Sequence, residues 1–168
     1  KNGLAESERR PGSAAACRRL LLWPGCCAIH GHLRPESVQA ARAAYPGCRV
    51  LAHPECRPEL IGLCDGSGST SYLIKEAEKA AGEGGTLIIG TETNLVHRLR
   101  DRFAGRCRIE PLAPAICPDM AKVTEENLLA CLQGVAAGTA PIMTLQDEQL
   151  APARASLTRM LQVCAAQR

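Results

Sequence analysis

Short runs of apolar residues alternate along the chain with longer segments whose apolar positions recur at helical spacing. Buried strands are predicted over residues 20–23, 49–52, 86–89 and, more weakly, 107–110. Helices are predicted over residues 35–45, 59–64, 69–81, 94–103, 125–132 and 146–163, with a flexible break at 65–68. Strands that alternate with helices of about 10 residues predict an α/β fold, a parallel sheet joined by right-handed crossovers.

Polar residues that can share protons or bind anions lie where these elements meet. His53 and Glu55 follow the predicted strand 49–52, and ligands of open α/β sheets bind beyond the carboxyl ends of the strands. Ser69 and Thr70 open the next predicted helix, where free backbone N–H groups and hydroxyls form a natural anion site. These residues predict a site for a small acidic ligand, and the alternative is an ordinary helix cap beside a polar turn.

Composition narrows the class of protein. Of the 168 residues, 46% are hydrophobic and only 2% are aromatic, so the core must be built from aliphatic side chains. A net charge of +3, with scattered arginines and no aromatic stacking platform, argues against nucleic-acid binding. The longest apolar run, 20–23, is too short to cross a membrane, and residues 1–19 lack the apolar segment of a secretory signal.

The ten cysteines raise the question of metal binding. Within an α/β pattern and without a signal, reduced thiols and metal ligation are expected instead of disulfides. One interpretation is a structural zinc site formed by Cys26, Cys27, His30 and His32. A second is an iron–sulfur cluster held by cysteines on distant loops, such as Cys27 and Cys117, and spacing leaves both open. Ordinary buried thiols are expected at Cys48, Cys64, Cys131 and Cys164.

Five motifs, taken in order, resemble quinolinate synthase. They are WPGCCAIH at 23–30, HPECRPE at 53–59, GSTS at 68–71, GTE at 90–92 and ICPDM at 116–120. The resemblance covers about residues 20–161 and implies an α/β protein of three similar small domains around a central 4Fe–4S cluster. It also implies a transferase of NAD biosynthesis, which condenses iminoaspartate with dihydroxyacetone phosphate to give quinolinate.

The resemblance implies an incomplete protein. Cys27 is expected to be the cluster ligand of the middle domain and Cys117 that of the third, while the third cluster cysteine has no counterpart in this chain. Complete members of the family are about twice as long, so the carboxyl-terminal half is expected. The expected organisation is a leader (1–18), the end of the middle domain (19–32), the third domain (33–118) and a helical tail that packs on the first domain (119–168).

The same resemblance assigns roles to the polar residues. His30, His53 and Glu55 are expected catalysts, and His53, Glu55, Ser69 and Thr70 are expected to bind substrate. The implied partners are iminoaspartate and dihydroxyacetone phosphate, with L-aspartate oxidase as supplier of the first, in the cytoplasm and without nucleic acid or membrane. The alternative is a non-catalytic α/β module that binds a small dicarboxylate or phosphate.

Overall fold

The computed structural model of the chain describes residues 5–7, 20–22 and 25–166. Its first two strands, β1 (Ala5–Ser7) and β2 (Leu20–Leu22), form an antiparallel pair. The strand predicted at 20–23 is therefore present, but it pairs with β1 and is not part of the parallel sheet. The rest of the leader and Trp23 lie outside the described residues. The chain divides into two compact units, Lys1–Ala121 and Lys122–Arg168.

The main sheet of the first unit consists of four parallel strands within the described residues. The strands are β3 (Arg49–Ala52), β4 (Gly66–Ser67), β5 (Thr86–Gly90) and β6 (Arg108–Pro111), in the order β4-β3-β5-β6. The predicted α/β class with a parallel sheet is confirmed. The flexible break predicted at 65–68 is wrong, because Gly66 and Ser67 pair in parallel with Leu51 and Ala52 as an edge strand.

Helices cover the sheet and connect its strands. They are α1 (Ala28–His32), α2 (Pro35–Ala44), α3 (Pro58–Ile61), α4 (Thr70–Glu83) and α5 (Thr93–Arg102). The sequence predicts all of these except α1, with boundaries that differ by three residues or fewer. Short connections at the carboxyl ends of β3 and β5 bring the polar turns of the sequence to one edge of the sheet.

Apolar side chains bury both faces of this sheet, as expected where crossover helices pack on both sides. Successive residues such as Val50 and Leu51 point to opposite faces, and both are fully buried. One face packs against Leu33, Val38, Leu60 and Leu112. The other packs against Leu73, Val96, Leu99 and Phe103. Because both faces are filled by the core, the polar residues lie at the ends of the strands.

The second unit contains α6 (Glu125–Ala137) and α7 (Asp147–Ala165), after a short 3-10 turn at Met120–Lys122. Thr124 caps α6 by accepting from the backbone of Asn127. Helix α6 is longer than the predicted 125–132, because it continues through Gly134 and ends where Gly138 adopts a left-handed φ of 71°. Helix α7 includes Pro152 in its second turn.

Neither helix of the second unit contains a buried residue. Large apolar side chains of both helices are exposed, namely Leu128, Leu132, Val135, Leu157, Met160 and Leu161. Cys131 and Cys164 are also exposed, so the prediction of buried thiols is wrong for these two, whereas Cys48 is buried and Cys64 partly buried. Among the described residues, none of the helices combines the length and apolar character that crossing a bilayer requires.

Candidate functional site

A cleft of about 400 Å³ lies beyond the carboxyl ends of β3 and β5. Its lining includes four of the residues that the sequence selects, namely His30, His53, Glu55 and Thr70. These residues come from three connections that are distant in sequence: the helix after β2, the turn after β3 and the start of α4. The cleft therefore lies where a parallel α/β sheet binds its ligands.

His30 is the buried imidazole of this cleft, with only 8% of its surface exposed. Its Nε2 atom lies 3.1 Å from the hydroxyl of Thr91, which follows β5. Its Nδ1 atom lies 3.1 Å from Glu55 Oε2, yet the geometry leaves Nδ1 without a hydrogen bond. Burial, followed by the charge of His53, lowers the pKa of His30, and the Glu55 carboxylate acts in the opposite direction. His30 is therefore held as a neutral ring.

His53 and Glu55 form the second part of the site. The backbone N–H of His53 donates to the carbonyl of Gly90 over 2.9 Å, which ties the turn to the neighbouring strand. The backbone N–H of Glu55 donates to His53 Nδ1 over 3.4 Å, so the ring proton of neutral His53 is on Nε2. The rings of His53 and His30 stack with centroids 4.3 Å apart. Glu55 Oε2 lies 3.5 Å from His53 Nδ1 and 3.1 Å from His30 Nδ1, so one carboxylate oxygen is close to both rings.

The start of α4 brings the predicted anion-binding residues to different places. Thr70, the first residue of the helix, lines the cleft. The Oγ atom of Ser69 is the helix cap and accepts from the backbone N–H of Tyr72 over 3.4 Å. The alternative of an ordinary helix cap therefore describes Ser69, while Thr70 lines the cleft at the start of the helix.

The structure adds cleft residues to which the sequence analysis gives no role: Thr91, Glu92, Asn94 and Arg98. Glu92 is buried and caps α5 by accepting from the backbone N–H groups of Asn94 and Leu95 over 2.9 and 3.3 Å. Arg98 lies one helical turn after Asn94, is exposed, and has no ion-pair partner among the described residues. The signal that could have found them is the one that selects His53, since they follow the end of a buried strand.

Of the cysteines considered as metal ligands, Cys27 lies close to the cleft residues His30 and Glu55. Ligand atoms of Cys27, His30 and Glu55 all lie within 4.8 Å of one another. Cys117 is partly buried on the loop after β6 and is not in this group. Cys26 and His32, which the zinc interpretation requires, are exposed and also lie outside the group.

The loop of Cys117 is fixed to the same edge of the sheet. The backbone N–H of Ala115 donates to the hydroxyl of Thr93 over 2.8 Å, and the backbone N–H of Thr93 donates to the carbonyl of Ala115 over 2.9 Å. Because Thr93 begins α5 directly after the cleft residues Thr91 and Glu92, these bonds hold the loop beside the end of β5.

A cleft with proton-sharing groups and a helix start at the carboxyl edge of a parallel sheet is typical of α/β proteins that bind a small ligand. A family model described as "Quinolinate synthetase A protein" matches residues 11–162 of this chain. The chain therefore belongs to the quinolinate synthetase A family.

Curated relatives agree with this assignment. The chain is 38% identical over 145 residues to the quinolinate synthase of Methanoregula boonei, which covers 86% of the chain and 46% of the relative. It is 36% identical over 163 residues to that of Acidobacterium capsulatum, which covers 91% of the chain and 42% of the relative. It is 38% identical over 148 residues to that of Corynebacterium glutamicum, and this match covers 86% of the chain and 37% of the relative. The chain thus spans less than half the length of these relatives.

Proposed function

We propose that this chain supplies part of the active site of a quinolinate synthase, which condenses iminoaspartate with dihydroxyacetone phosphate to give quinolinate. One observation carries this proposal: a single carboxylate oxygen, Glu55 Oε2, lies 3.1 Å from His30 Nδ1 and 3.5 Å from His53 Nδ1 at the cleft. Such a group can pass protons between a substrate and two imidazoles. The reaction releases water and phosphate, and it therefore needs groups that add and remove protons.

The exposure of the three side chains supports a division of their roles. Glu55 is 56% exposed on its side chain and can accept a proton from a substrate in the cleft. His53, with its Nδ1 facing a backbone N–H, has Nε2–H as its donor to a leaving oxygen. His30 is buried and its two ring nitrogens face Thr91 and Glu55, so it positions the Glu55 carboxylate at the cleft.

The anion-binding groups of the cleft support the choice of these two substrates. Both proposed substrates are acidic, and the start of α4 offers free backbone N–H groups beside the Thr70 hydroxyl. Arg98 adds a positive charge at the cleft, and Asn94 adds an amide. We propose that these groups bind a carboxylate or phosphate of the substrate, and that Ser69 contributes by capping α4 and so fixing its start next to Thr70.

The two cluster cysteines suit the cofactor expected for this family. Cys27 and Cys117 are free thiols, both partly buried, and thiolates are the ligands of iron–sulfur clusters. We propose that they hold a 4Fe–4S cluster together with a cysteine that this chain does not supply. When bound, such a cluster provides an iron without a protein ligand as a Lewis acid. A cytoplasmic location and L-aspartate oxidase as supplier of iminoaspartate belong to the same proposal.

The exposed apolar face of the second unit supports the expected organisation. Large side chains such as Leu132 and Val135 are 58% and 63% exposed, which is unfavourable in water. We propose that residues 119–168 pack on the domain of the relatives that this chain does not cover.

Reconstitution tests the proposed activity. The chain is combined, without oxygen and with iron and sulfide, with the part of the Methanoregula boonei enzyme that it does not cover. We expect quinolinate from the two substrates, a loss of roughly 100-fold or more in Glu55→Gln, and no loss in Glu59→Gln, an exposed carboxylate of α3. A complex that shows cluster absorption but forms no quinolinate would overturn the proposal.

A second candidate is ligand binding without catalysis. The chain itself carries Thr70, Arg98 and the start of α4, so it does not need another domain to present an anion site. A small dicarboxylate or phosphate would then bind to the isolated chain, and a direct binding measurement separates this activity from catalysis.

A further inference from the structure

We propose that Cys27, His30 and Glu55 form a mononuclear binding site for a divalent metal ion of the zinc type. Their ligand atoms, a thiol sulfur, an imidazole nitrogen and a carboxylate oxygen, lie within 4.8 Å of one another. These three donors are the ones that zinc uses in proteins, and three protein ligands with an open fourth position are typical of accessible zinc sites. This site goes beyond the proposed function, since it requires neither sulfide nor Cys117.

The position of His30 is the strongest argument. The residue is 8% exposed, and its Nε2 atom is paired with the Thr91 hydroxyl at 3.1 Å. A histidine that binds a metal generally donates its other ring N–H to an oxygen, which fixes the tautomer. With the proton on Nε2, the lone pair of Nδ1 is free, and this buried Nδ1 is without a hydrogen bond among the described residues.

The spacing of Nδ1 and the carboxylate fits two ligands of the same ion. Nδ1 and Glu55 Oε2 lie 3.1 Å apart. Two ligands on a tetrahedral zinc ion, each about 2.0 to 2.2 Å from the metal, are separated by roughly 3.3 Å. When the ring proton of His30 is on Nε2, Nδ1 and Oε2 both present lone pairs at this distance, and a cation bound by both atoms would stabilise that arrangement.

The thiol can complete the site with a small movement. Cys27 is the N-cap residue of α1, is partly buried, and makes no side-chain capping hydrogen bond that a change of rotamer would break. Sulfur and nitrogen ligands of one zinc ion lie about 3.6 Å apart, and rotation about χ1 moves Sγ by more than the remaining gap.

The site has a consequence for the proposed cluster. Cys27 cannot hold a mononuclear ion and an iron–sulfur cluster at the same time, and the ion would also occupy Glu55 and His30. Zinc bound here is therefore expected to compete with cluster assembly. Glu55 is 56% exposed on its side chain, so the site is accessible from the cleft, and a water molecule would take the fourth position.

Cobalt titration tests the site on the full chain, purified without metal and kept reduced. We expect one equivalent of Co²⁺ to bind, with a thiolate-to-cobalt charge-transfer band and the strong visible bands of four-coordinate cobalt, and Zn²⁺ to displace it. Cys27→Ser should remove the charge-transfer band. Glu55→Gln, a change on an exposed side chain, should weaken binding at least about tenfold.

Two matched cysteine variants serve as controls. Cys26→Ser changes the adjacent exposed thiol, and Cys117→Ser removes the other expected cluster ligand; both should keep the cobalt spectrum and stoichiometry. Absence of the band in the unmodified chain, or its loss in either control, would overturn the proposal. Because no iron or sulfide is present, this result is independent of the reconstitution assay, and failure of one does not imply failure of the other.

Discussion

The hydroxyl of Thr91 and the Nε2 atom of His30 lie 3.1 Å apart, although the two residues are 61 positions apart in the sequence. Thr91 directly follows β5, and His30 belongs to α1, before the main sheet begins. This contact orients the buried ring so that its Nδ1 atom faces Glu55. The end of a central strand therefore positions a side chain that comes from another part of the chain.

Replacement of Thr91 by valine should destabilise the protein by about 1 to 3 kcal/mol. Valine has nearly the same shape but leaves the buried Nε2 atom of His30 without its hydrogen-bond partner. Thr86→Val at the start of β5, where the structure gives the side chain no hydrogen bond, serves as the control and should change stability by about 0.5 kcal/mol or less. Equal effects of the two substitutions in urea unfolding would contradict the role of this contact.

The pKa of His30 makes stability depend on pH. Burial lowers the pKa of His30 in the folded protein below its ordinary value of 6.5. As the pH falls below 6.5, the unfolded chain binds a proton at this residue more readily than the folded chain, so stability decreases. We expect the free energy of unfolding to fall more steeply between about pH 7 and pH 5 in the original chain than in His30→Gln. Parallel pH profiles would show that the buried ring does not contribute.

Cys56 should resist alkylation. Burial raises the pKa of the Cys56 thiol to about 11, and its Sγ donates to the carbonyl of Gly90 over 3.6 Å. At about pH 8 only about one thiol in a thousand is ionised, and the thiolate is the reactive form. Treatment with iodoacetamide followed by peptide mass mapping should label the exposed Cys26 and Cys131 in the folded protein and Cys56 only after unfolding. Equal labelling of all three while the protein is folded would refute this expectation.

Two glycines near α4 should respond in opposite directions to alanine. A Cβ atom at Gly68 would clash with the side chain of Tyr72, and the start of α4 would have to shift. Gly68→Ala should therefore cost about 1 to 3 kcal/mol and weaken ligand binding at Thr70. Gly82 lies within the same helix, and an added Cβ would meet no side chain and no other element within 4 Å, so Gly82→Ala should stabilise by about 0.5 to 1 kcal/mol. Thermal unfolding of both variants provides the comparison, and a shift in the same direction would be inconsistent with these contacts.

Most elements could be predicted because their sequences are locally consistent. The strand Arg49–Ala52 is predicted with its observed bounds, since branched apolar residues lie between turn formers. The edge strand at Gly66–Ser67 could not be predicted, because two small residues have no strand preference and pair only through the backbone of β3. The end of α6 could not be predicted either, because a glycine such as Gly134 indicates a break, yet the helix continues to Ala137.

The site shows the same division between local and long-range signals. His53, Glu55 and Thr70 could be selected because each lies beside a strand end or a helix start. The contact of His30 with Thr91 joins two residues that are 61 positions apart. It depends on how α1 packs beside β5, and no local sequence pattern specifies that packing. The roles of Cys27 and Cys117 rest on resemblance to the family, and the short spacing of Cys27 to His30 and Glu55 became evident only in three dimensions.

Calorimetric titration of the isolated chain with quinolinate tests most directly whether the cleft binds a small dicarboxylate. The comparison uses the original chain, Thr70→Ala at the cleft, and Ser71→Ala at the adjacent exposed hydroxyl of the same helix. We predict binding by the original chain, an unchanged Kd in Ser71→Ala, and a Kd raised about tenfold in Thr70→Ala, as the loss of one hydrogen bond implies. Absence of binding by the original chain, or the same Kd in all three proteins, would contradict the proposed anion site at Thr70 and the start of α4.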